Sequence, residues 1–364
     1  MPSDPPPARR YQLLPPPPGA VLKLGVIGAV VLAIAAAFAA VGGWFSPGRL
    51  TPARMIDAFE QVNGPHPGFR RNHAKGVCVA GHFDSNGAGQ ILSRAVVFRA
   101  GAVPVIGRFA LAGGKPDMPD GPMAVRSMAL SFRPVGGQEW RTGVNDIPVF
   151  PVRDARSFYE QLQAARSDPA TGKPDPVRMK AFLAAHPETV RALALIKAQG
   201  FSSGFANATY NSLDAFEFVD AKGLTIPVRW AIVPLDPYAP EDATAAANPD
   251  KTYLFDALIA RINSGPARWR LVITIGKPGD PTNDATIPWP TDRAKLDVGT
   301  LIIDHVEAEA PGNCRDLNFD PLVLPAGIAP SDDPLLTARS AAYSQSFTRR
   351  AGEPKTPSAV KVGG

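Results

Sequence analysis

The sequence predicts an α+β fold: an eight-stranded antiparallel β-barrel with helical insertions and a long C-terminal helix, preceded by one transmembrane helix. Three observations predict it. Eight β-branched or aromatic runs, separated by Gly and Pro clusters, fall in two sets of four. The two sets are split by a stretch whose apolar residues recur at i, i+3 and i+4. A 22-residue run from Leu24 to Phe45 carries no charge. An antiparallel barrel closes its own edges and can hold one ligand at its mouth. No internal repeat and no GxGxxG-then-helix unit occurs, which argues against a dinucleotide-binding fold.

Composition narrows the class. The 364 residues allow one large domain or two medium ones, and 45% apolar against 20% charged residues excludes wholesale disorder. Two cysteines exclude a disulfide-rich scaffold and any Cys-only metal cluster. The net charge of +5 is spread along the chain with no Lys/Arg block, so nucleic acid is not an expected partner.

The elements follow in order. Residues 1–23 form a Pro-rich tail, with Pro5 to Pro7 and Pro15 to Pro18, which should be extended and solvated. Residues 24–45 then read as an uncleaved signal anchor, because the apolar run exceeds the ~7–15 residues of a signal-peptide core. A cleaved signal with the A-x-A site Ala37-Phe38-Ala39 is the competing reading, and Arg9-Arg10 also allows twin-arginine export. Arg9, Arg10 and Lys23 favour an inside N-terminus over Arg49 and Arg54. The rest, residues 46–364, would then be a single domain on the periplasmic or extracytoplasmic side of a single-pass membrane protein.

In that domain, strands are predicted at Val77–Phe83, Ser93–Arg99, Val103–Leu111 and Val125–Arg133. Helices follow at Ala155–Ala165, Val177–Ala185 and Thr189–Lys197. Further strands are predicted at Ala208–Val219, Leu224–Val233, Trp269–Ile275 and Gly299–Glu307, with a helix over Thr252–Asn263. Ser331-Asp332-Asp333-Pro334 is a helix start, and Leu335 to Arg350 is the helix. On it Leu336, Arg339, Tyr343 and Phe347 share one face, with Arg339 and Tyr343 one i, i+4 step apart. A guanidinium over a phenol favours the phenolate, a hard anionic ligand suited to ferric iron. An ordinary amphipathic helix with a surface Arg has the same pattern.

The motifs separate these readings. Arg70-Arg71-Asn72-His73-Ala74-Lys75-Gly76 resembles the R-x-x-H-A-K-G segment of the heme catalases. Further matches follow in the same order as in that family. They are Pro104 to Phe109 (PVIGRF), Asn145 to Phe150 (NDIPVF) with Arg153-Asp154, Asn318-Phe319-Asp320-Pro321, Pro325-Ala326-Gly327-Ile328, and Arg339-Ser340-Ala341-Ala342-Tyr343. The resemblance spans roughly residues 55–350, and the layout is similar to that of the small catalase-related peroxidases.

This resemblance implies a barrel of heme-catalase type, a heme b (iron protoporphyrin) cofactor, and a C-terminal helix that ligates its iron through Tyr343. It implies His73 as acid–base relay for the peroxide and Asn145 as hydrogen-bond donor to it. Arg70, Arg108 and Arg350 fall where guanidinium groups pair with propionates, Phe150 and Phe158 where rings pack on the porphyrin, and Arg339 where it holds the phenolate.

The expected activity is that of a heme peroxidase, reducing organic hydroperoxides and hydrogen peroxide through a ferryl intermediate with an unidentified electron donor. A catalase that dismutates hydrogen peroxide, a rearranger of alkyl peroxides and a non-enzymatic heme-binding barrel remain alternatives. A lipocalin-type binder without iron is a further one, and a homo-oligomer is left open. Departures favour the peroxidase: Ala110-Leu111 stand where catalases carry a hydroxyl that orients the distal His, and Asn72 and Pro151 suggest a more polar, more open entrance. His66, His82, His186 and His305 lack ligand spacing; Trp140 and Trp230 read as packing, and Lys75 as structural. Cys78 and Cys314 would adjoin in a closed barrel, so a disulfide and two separate thiols both stay open.

Overall fold

The computed structural model describes residues 19–42, 48–168, 171–241, 248 and 250–363. It divides into two units, Met1–Thr51 and Pro52–Gly364. In the first, α1 (Ala20–Val41) buries none of its residues within the unit. It is about 33 Å long, and long and apolar enough to cross a membrane, as a signal sequence also is. The helix begins inside the predicted tail, at Ala20; residues 1–18 of that tail and residues 43–45 of the predicted anchor lie outside the described residues.

The second unit starts with α2 (Pro52–Asn63), then β1 (Gly76–Ser85), β2 (Gly101–Leu111), β3 (Arg126–Phe132) and β4 (Trp140–Asn145). Three helices follow, α3 (Ala155–Ala165), α4 (Pro176–Ala185) and α5 (Pro187–Gln199). Then come β5 (Tyr210–Asn211), β6 (Phe216–Val219), β7 (Thr225–Pro234), α6 (Tyr253–Asn263), β8 (Ala267–Ile275), β9 (Lys295–Glu307), β10 (Ile328–Pro330) and α7 (Pro334–Ala351). Eight strands close a ring in the order β7-β5-β4-β3-β2-β1-β9-β8, with β8 pairing back onto β7 and every pair antiparallel. β6 and β10 extend the sheet beyond the ring.

Three strand assignments change. Ser93–Arg99 is not a strand but contains a 3₁₀ turn at Val96–Phe98. The Ser93 hydroxyl donates to the Gly327 carbonyl at 2.8 Å and accepts from the Ala95 amide, so the chain coils there and buries Val97 and Phe98. Its place in the first set of four is taken by β4, whose alternation of Trp140, Thr142 and Val144 toward the interior carries the period-two signal. The run Ala208–Val219 divides into β5 and β6 because Leu213 between them adopts φ 64, which no strand continues through. Helix α2 answers to no predicted element, although Pro52 precedes apolar Met55, Ile56 and Phe59, all buried.

Aromatic side chains fill the barrel. Phe132 and Trp140, directly paired across β3 and β4, stack at 4.8 Å, and Trp140 meets Trp230 edge-on at 5.1 Å. Trp269 packs on Phe109 at 5.8 Å. Trp140 and Trp230 are thus core residues, and a ligand at the barrel mouth is not how this fold makes its cavity. Val105, Phe109 and Leu111 of β2 and Met128, Leu130 and Phe132 of β3 point inward. The residues alternating with them face the outer wall, where the cavity lies.

Helices cover that wall. Arg349 of α7 pairs with Asp57 and Glu60 of α2 at 2.6 and 3.4 Å, and Phe59 of α2 meets Phe158 of α3 at 5.6 Å. Asp154, from the Arg153-Asp154 motif, caps α3 by accepting from the Ser157 amide at 2.8 Å and its hydroxyl at 2.9 Å. Burial opposes its charge, but these two bonds outweigh burial and lower its pKa. Asp154→Ala is expected to cost about 1 kcal/mol in urea unfolding, a contribution that fades as the pH falls from 3.8 through the lowered value.

Lys75 is structural, as expected: its ammonium is buried on Asp120 at 2.7 Å and on the carbonyls of Met118 and Lys251. Cys78 of β1 and Cys314 form a disulfide, with Cα atoms 5.3 Å apart.

Candidate active site

Neighbouring strands deliver one row of side chains to the outer wall. Gly76, Ala110, Ser127, Asn145 and Asn211 are successive register partners across β1 to β5. The next row on the same face is Cys78, Arg108, Ala129 and Gly143. Small residues here leave a smooth floor, and α7 forms the opposite side through Ala338, Arg339, Ala342, Tyr343 and Phe347. The cavity between them, of about 200 Å³, is lined by all nine residues that the sequence singled out: Arg70, His73, Arg108, Asn145, Phe150, Phe158, Arg339, Tyr343 and Arg350.

His73 sits just before β1 with φ 57, one of two positive-φ non-Gly residues among those described. Its neighbours hold that conformation. Asn72 Oδ1 accepts from the Gly113 amide at 2.9 Å, and the Ala74 amide donates to the Gly113 carbonyl at 2.9 Å. Gly113 itself has φ 130, open only to glycine. Asn72 therefore spends its carbonyl on the backbone rather than on a polar entrance, and Pro151 does not line the cavity.

The imidazole Nδ1 is buried with no hydrogen-bond partner among the described residues, as the lost hydroxyl at Ala110 predicts. The ring is aimed by its clamped backbone instead. Burial, then the charges of Arg108, Arg339 and Arg70, pushes its pKa down to about 3, so His73 is neutral at neutral pH.

Across the row, the Ser127 hydroxyl hydrogen-bonds Asn145 Oδ1, which leaves the amide NH₂ of Asn145 to face the cavity. Ser127 is a positioning residue that the sequence reading missed. Ser127→Ala is expected to lower kcat/KM for peroxide about fivefold, with Ser127→Thr restoring most of it in steady-state assays.

Arg339 on α7 pairs with Asp214, lies 3.5 Å from the Gly143 carbonyl, and has its guanidinium carbon 5.9 Å from the Tyr343 ring centroid. Burial would lower its pKa, but Asp214 and then Tyr343 outweigh burial and raise it, so its charge is fixed. Asp214 was also missed; an acid inside Leu213-Asp214-Ala215-Phe216 is the signal that could have found it, since a charge buried in an apolar run needs a partner.

At the other edge, Glu309 accepts from Arg70 at 3.0 Å and from Arg108 at 2.8 and 3.1 Å. Arg70 also donates to the Cys314 and Leu317 carbonyls at 3.1 and 2.9 Å, and Arg350 to the Arg315 carbonyl. Gly76 permits this packing, because a Cβ there would lie 2.5 Å from the Arg108 guanidinium. Three guanidinium groups and one carboxylate give 3 − 1 = +2. Burial and neighbouring guanidinium charges lower the pKa of Arg70 and of Arg350, and Arg350 Nε is buried without a partner. This donor set fits a dianion such as the two propionates of a porphyrin. Phe150 and Phe158 stand 5.8 Å apart beside the slot. Nothing in the sequence marked Glu309.

A flat macrocycle with two carboxylates on one edge and a hard metal at its centre would use the small-residue floor, the arginine edge and Tyr343 together. The site thus has the chemistry of a tetrapyrrole-dependent oxidoreductase. The catalase family model matches residues 47–356. A catalase-related peroxidase of Synechococcus elongatus is 36% identical over 88% of this chain and 96% of its own length. One from Mycolicibacterium paratuberculosis is 32% identical over 84% and 96%. A bacterial catalase structure superposes with a TM-score of 0.70 at 21% identity, covering 84% of this chain and 62% of that one. The chain belongs to the catalase family, whose members are heme oxidoreductases acting on peroxide.

Proposed function

We propose that the protein is a heme b-dependent peroxidase that reduces organic hydroperoxides and hydrogen peroxide outside the cytoplasm, tethered to the membrane through Ala20–Val41. The observation that carries this reading is the convergence of His73, Asn145, Tyr343 and the arginine cluster on one cavity. Bound heme supplies an iron centre able to take two oxidising equivalents from peroxide. Arg70, Arg108 and Arg350 would hold its carboxylates, Phe150 and Phe158 its face, and Tyr343 its metal.

The chain's own groups then move the protons. Neutral His73 accepts the proton from the peroxide oxygen nearer the metal and returns it to the departing oxygen, which leaves as alcohol or water. Asn145, its amide oxygen occupied by Ser127, donates to the polarising O–O unit. Arg339 keeps a positive charge beside Tyr343 and favours the anionic phenolate over the phenol. Phe59, Phe150 and Phe158 exclude water from this side. The balance is ROOH + 2 e⁻ + 2 H⁺ → ROH + H₂O.

Peroxidase is favoured over catalase by the unbonded Nδ1 of His73, since dismutation needs the ring to return protons twice in a fixed tautomer. The test is steady-state turnover of the heme-loaded full chain with cumene hydroperoxide and with hydrogen peroxide, each with and without guaiacol. Donor-dependent consumption of both peroxides is expected. Oxygen evolution as the main fate of hydrogen peroxide would replace this reading with a catalase.

A further inference from the structure

A second, open groove of about 750 Å³ lies between residues 310–317 and Lys355–Pro357. Its lining holds three cations, Arg133, Arg315 and Lys355, and one carboxylate, Asp316, so 3 − 1 = +2. A cavity of about 10 Å³ connects it to the arginine edge of the cofactor cavity. That link shares Arg315, Thr356 and Pro357 with the groove, and Arg70 and Arg350 with the cofactor cavity. Two buried polar atoms stand along this route without a hydrogen-bond partner among the described residues, Thr356 Oγ1 and Arg350 Nε.

The geometry points to this groove as the binding site for a small organic anion that serves as the electron donor, an inference that rests on the peroxidase reading above. Charge comes first. Lys355 is held only by Asp316 at 2.6 Å, with both side chains about half exposed (49% and 61%), and such a pair is worth about 0–1 kcal/mol. Arg133, 44% exposed, is 3.6 Å from Glu139 and also donates to Ser131 at 3.0 Å. Both cations can turn to a ligand at small cost, and their field draws anions in.

Size decides the role. The link has the volume of a single water and admits nothing larger. A molecule in the groove therefore cannot reach His73 and cannot be the peroxide being cleaved. What can cross is an electron, to the cofactor edge held by Arg70 and Arg350. Two donor anions, each giving one electron and one proton, complete the cycle: ROOH + 2 AH⁻ → ROH + H₂O + 2 A•⁻. Peroxide enters on the side of His73, and the donor is oxidised on the side of the arginines without competing for that entrance.

The experiment compares ascorbate, an anion at pH 7, with guaiacol, a neutral phenol, as donors to the heme-loaded full chain with cumene hydroperoxide. The variants are Arg133→Glu, Lys355→Glu and the double variant, none of which touches the cofactor cavity. The ascorbate KM is expected to rise about tenfold in the double variant, with its kcat and both guaiacol constants unchanged. In the parent protein the ascorbate KM rises with ionic strength.

Equilibrium dialysis of labelled ascorbate reads the site without turnover; saturable binding is expected, lost in the double variant. Absent binding, or ascorbate and guaiacol constants that move together or not at all, would overturn the proposal. Binding without turnover of either donor would overturn the donor role and the peroxidase reading together, whereas turnover without binding overturns the groove alone.

Discussion

Replacing His73 by alanine is expected to lower peroxide turnover about 10³-fold while heme binding is retained. A positioned acid–base group contributes on the order of 10²–10⁴, and His73 has no protein partner whose loss would unsettle the fold through its Nδ1. Its backbone is clamped by Asn72 and Ala74 on Gly113, contacts that the substitution leaves in place. The arginine edge and Tyr343 are untouched, so a non-enzymatic heme barrel would show no change in its function. Rapid-mixing rates with cumene hydroperoxide, beside a heme titration of the same variant, make the comparison.

The pH profile of the parent adds a sign. The charged imidazole is disfavoured first by burial, which persists when carboxylates bind the arginines. His73 must be neutral to accept a proton, so the rate stays flat as pH falls through 6.5 and declines only toward about 3. An acid limb centred at 6.5 would contradict this environment for the ring.

The second large effect is on stability. Asp214→Asn removes the carboxylate that pairs with Arg339 and leaves a largely buried guanidinium uncompensated. Breaking a buried pair from one side costs about 3–5 kcal/mol, a substantial share of the total stability of a domain. Asp333, the cap of α7, responds as well. Burial and then the Asp214 charge push its carboxyl up to about 7. The folded state therefore binds a proton that the unfolded state releases above 3.8, and stability falls as pH rises from 3.8 toward 7. In Asp214→Asn this slope shrinks, because the repelling charge is gone. Urea unfolding at pH 5 and pH 7, for parent and variant, measures both effects.

The barrel was legible because its strands alternate apolar residues with period two, and the C-terminal helix because Asp333 and Pro334 mark its start. The Ser93–Arg99 error came from composition. Val96, Val97 and Phe98 read as strand residues, and only the tertiary hydrogen bond from Ser93 to Gly327 coils them. The nine site residues were legible as ordered motifs, not as patterns of charge or polarity. Their partners were not. Glu309 meets Arg108 across 201 residues, and Ser127 meets Asn145 only because β3 and β4 pair in that register. Such contacts are set by topology, which local spacing does not encode. The same holds for the position of the cavity, outside the barrel rather than at its mouth.

The most direct measurement is the absorption spectrum of the full chain reconstituted with heme, recorded beside Tyr343→Phe. A high-spin ferric spectrum with tyrosinate character is expected, abolished in the variant while heme remains held at Arg70, Arg108 and Arg350. A chain that takes up no heme, or a spectrum indifferent to Tyr343, would contradict the assignment of this cavity as a heme peroxidase site.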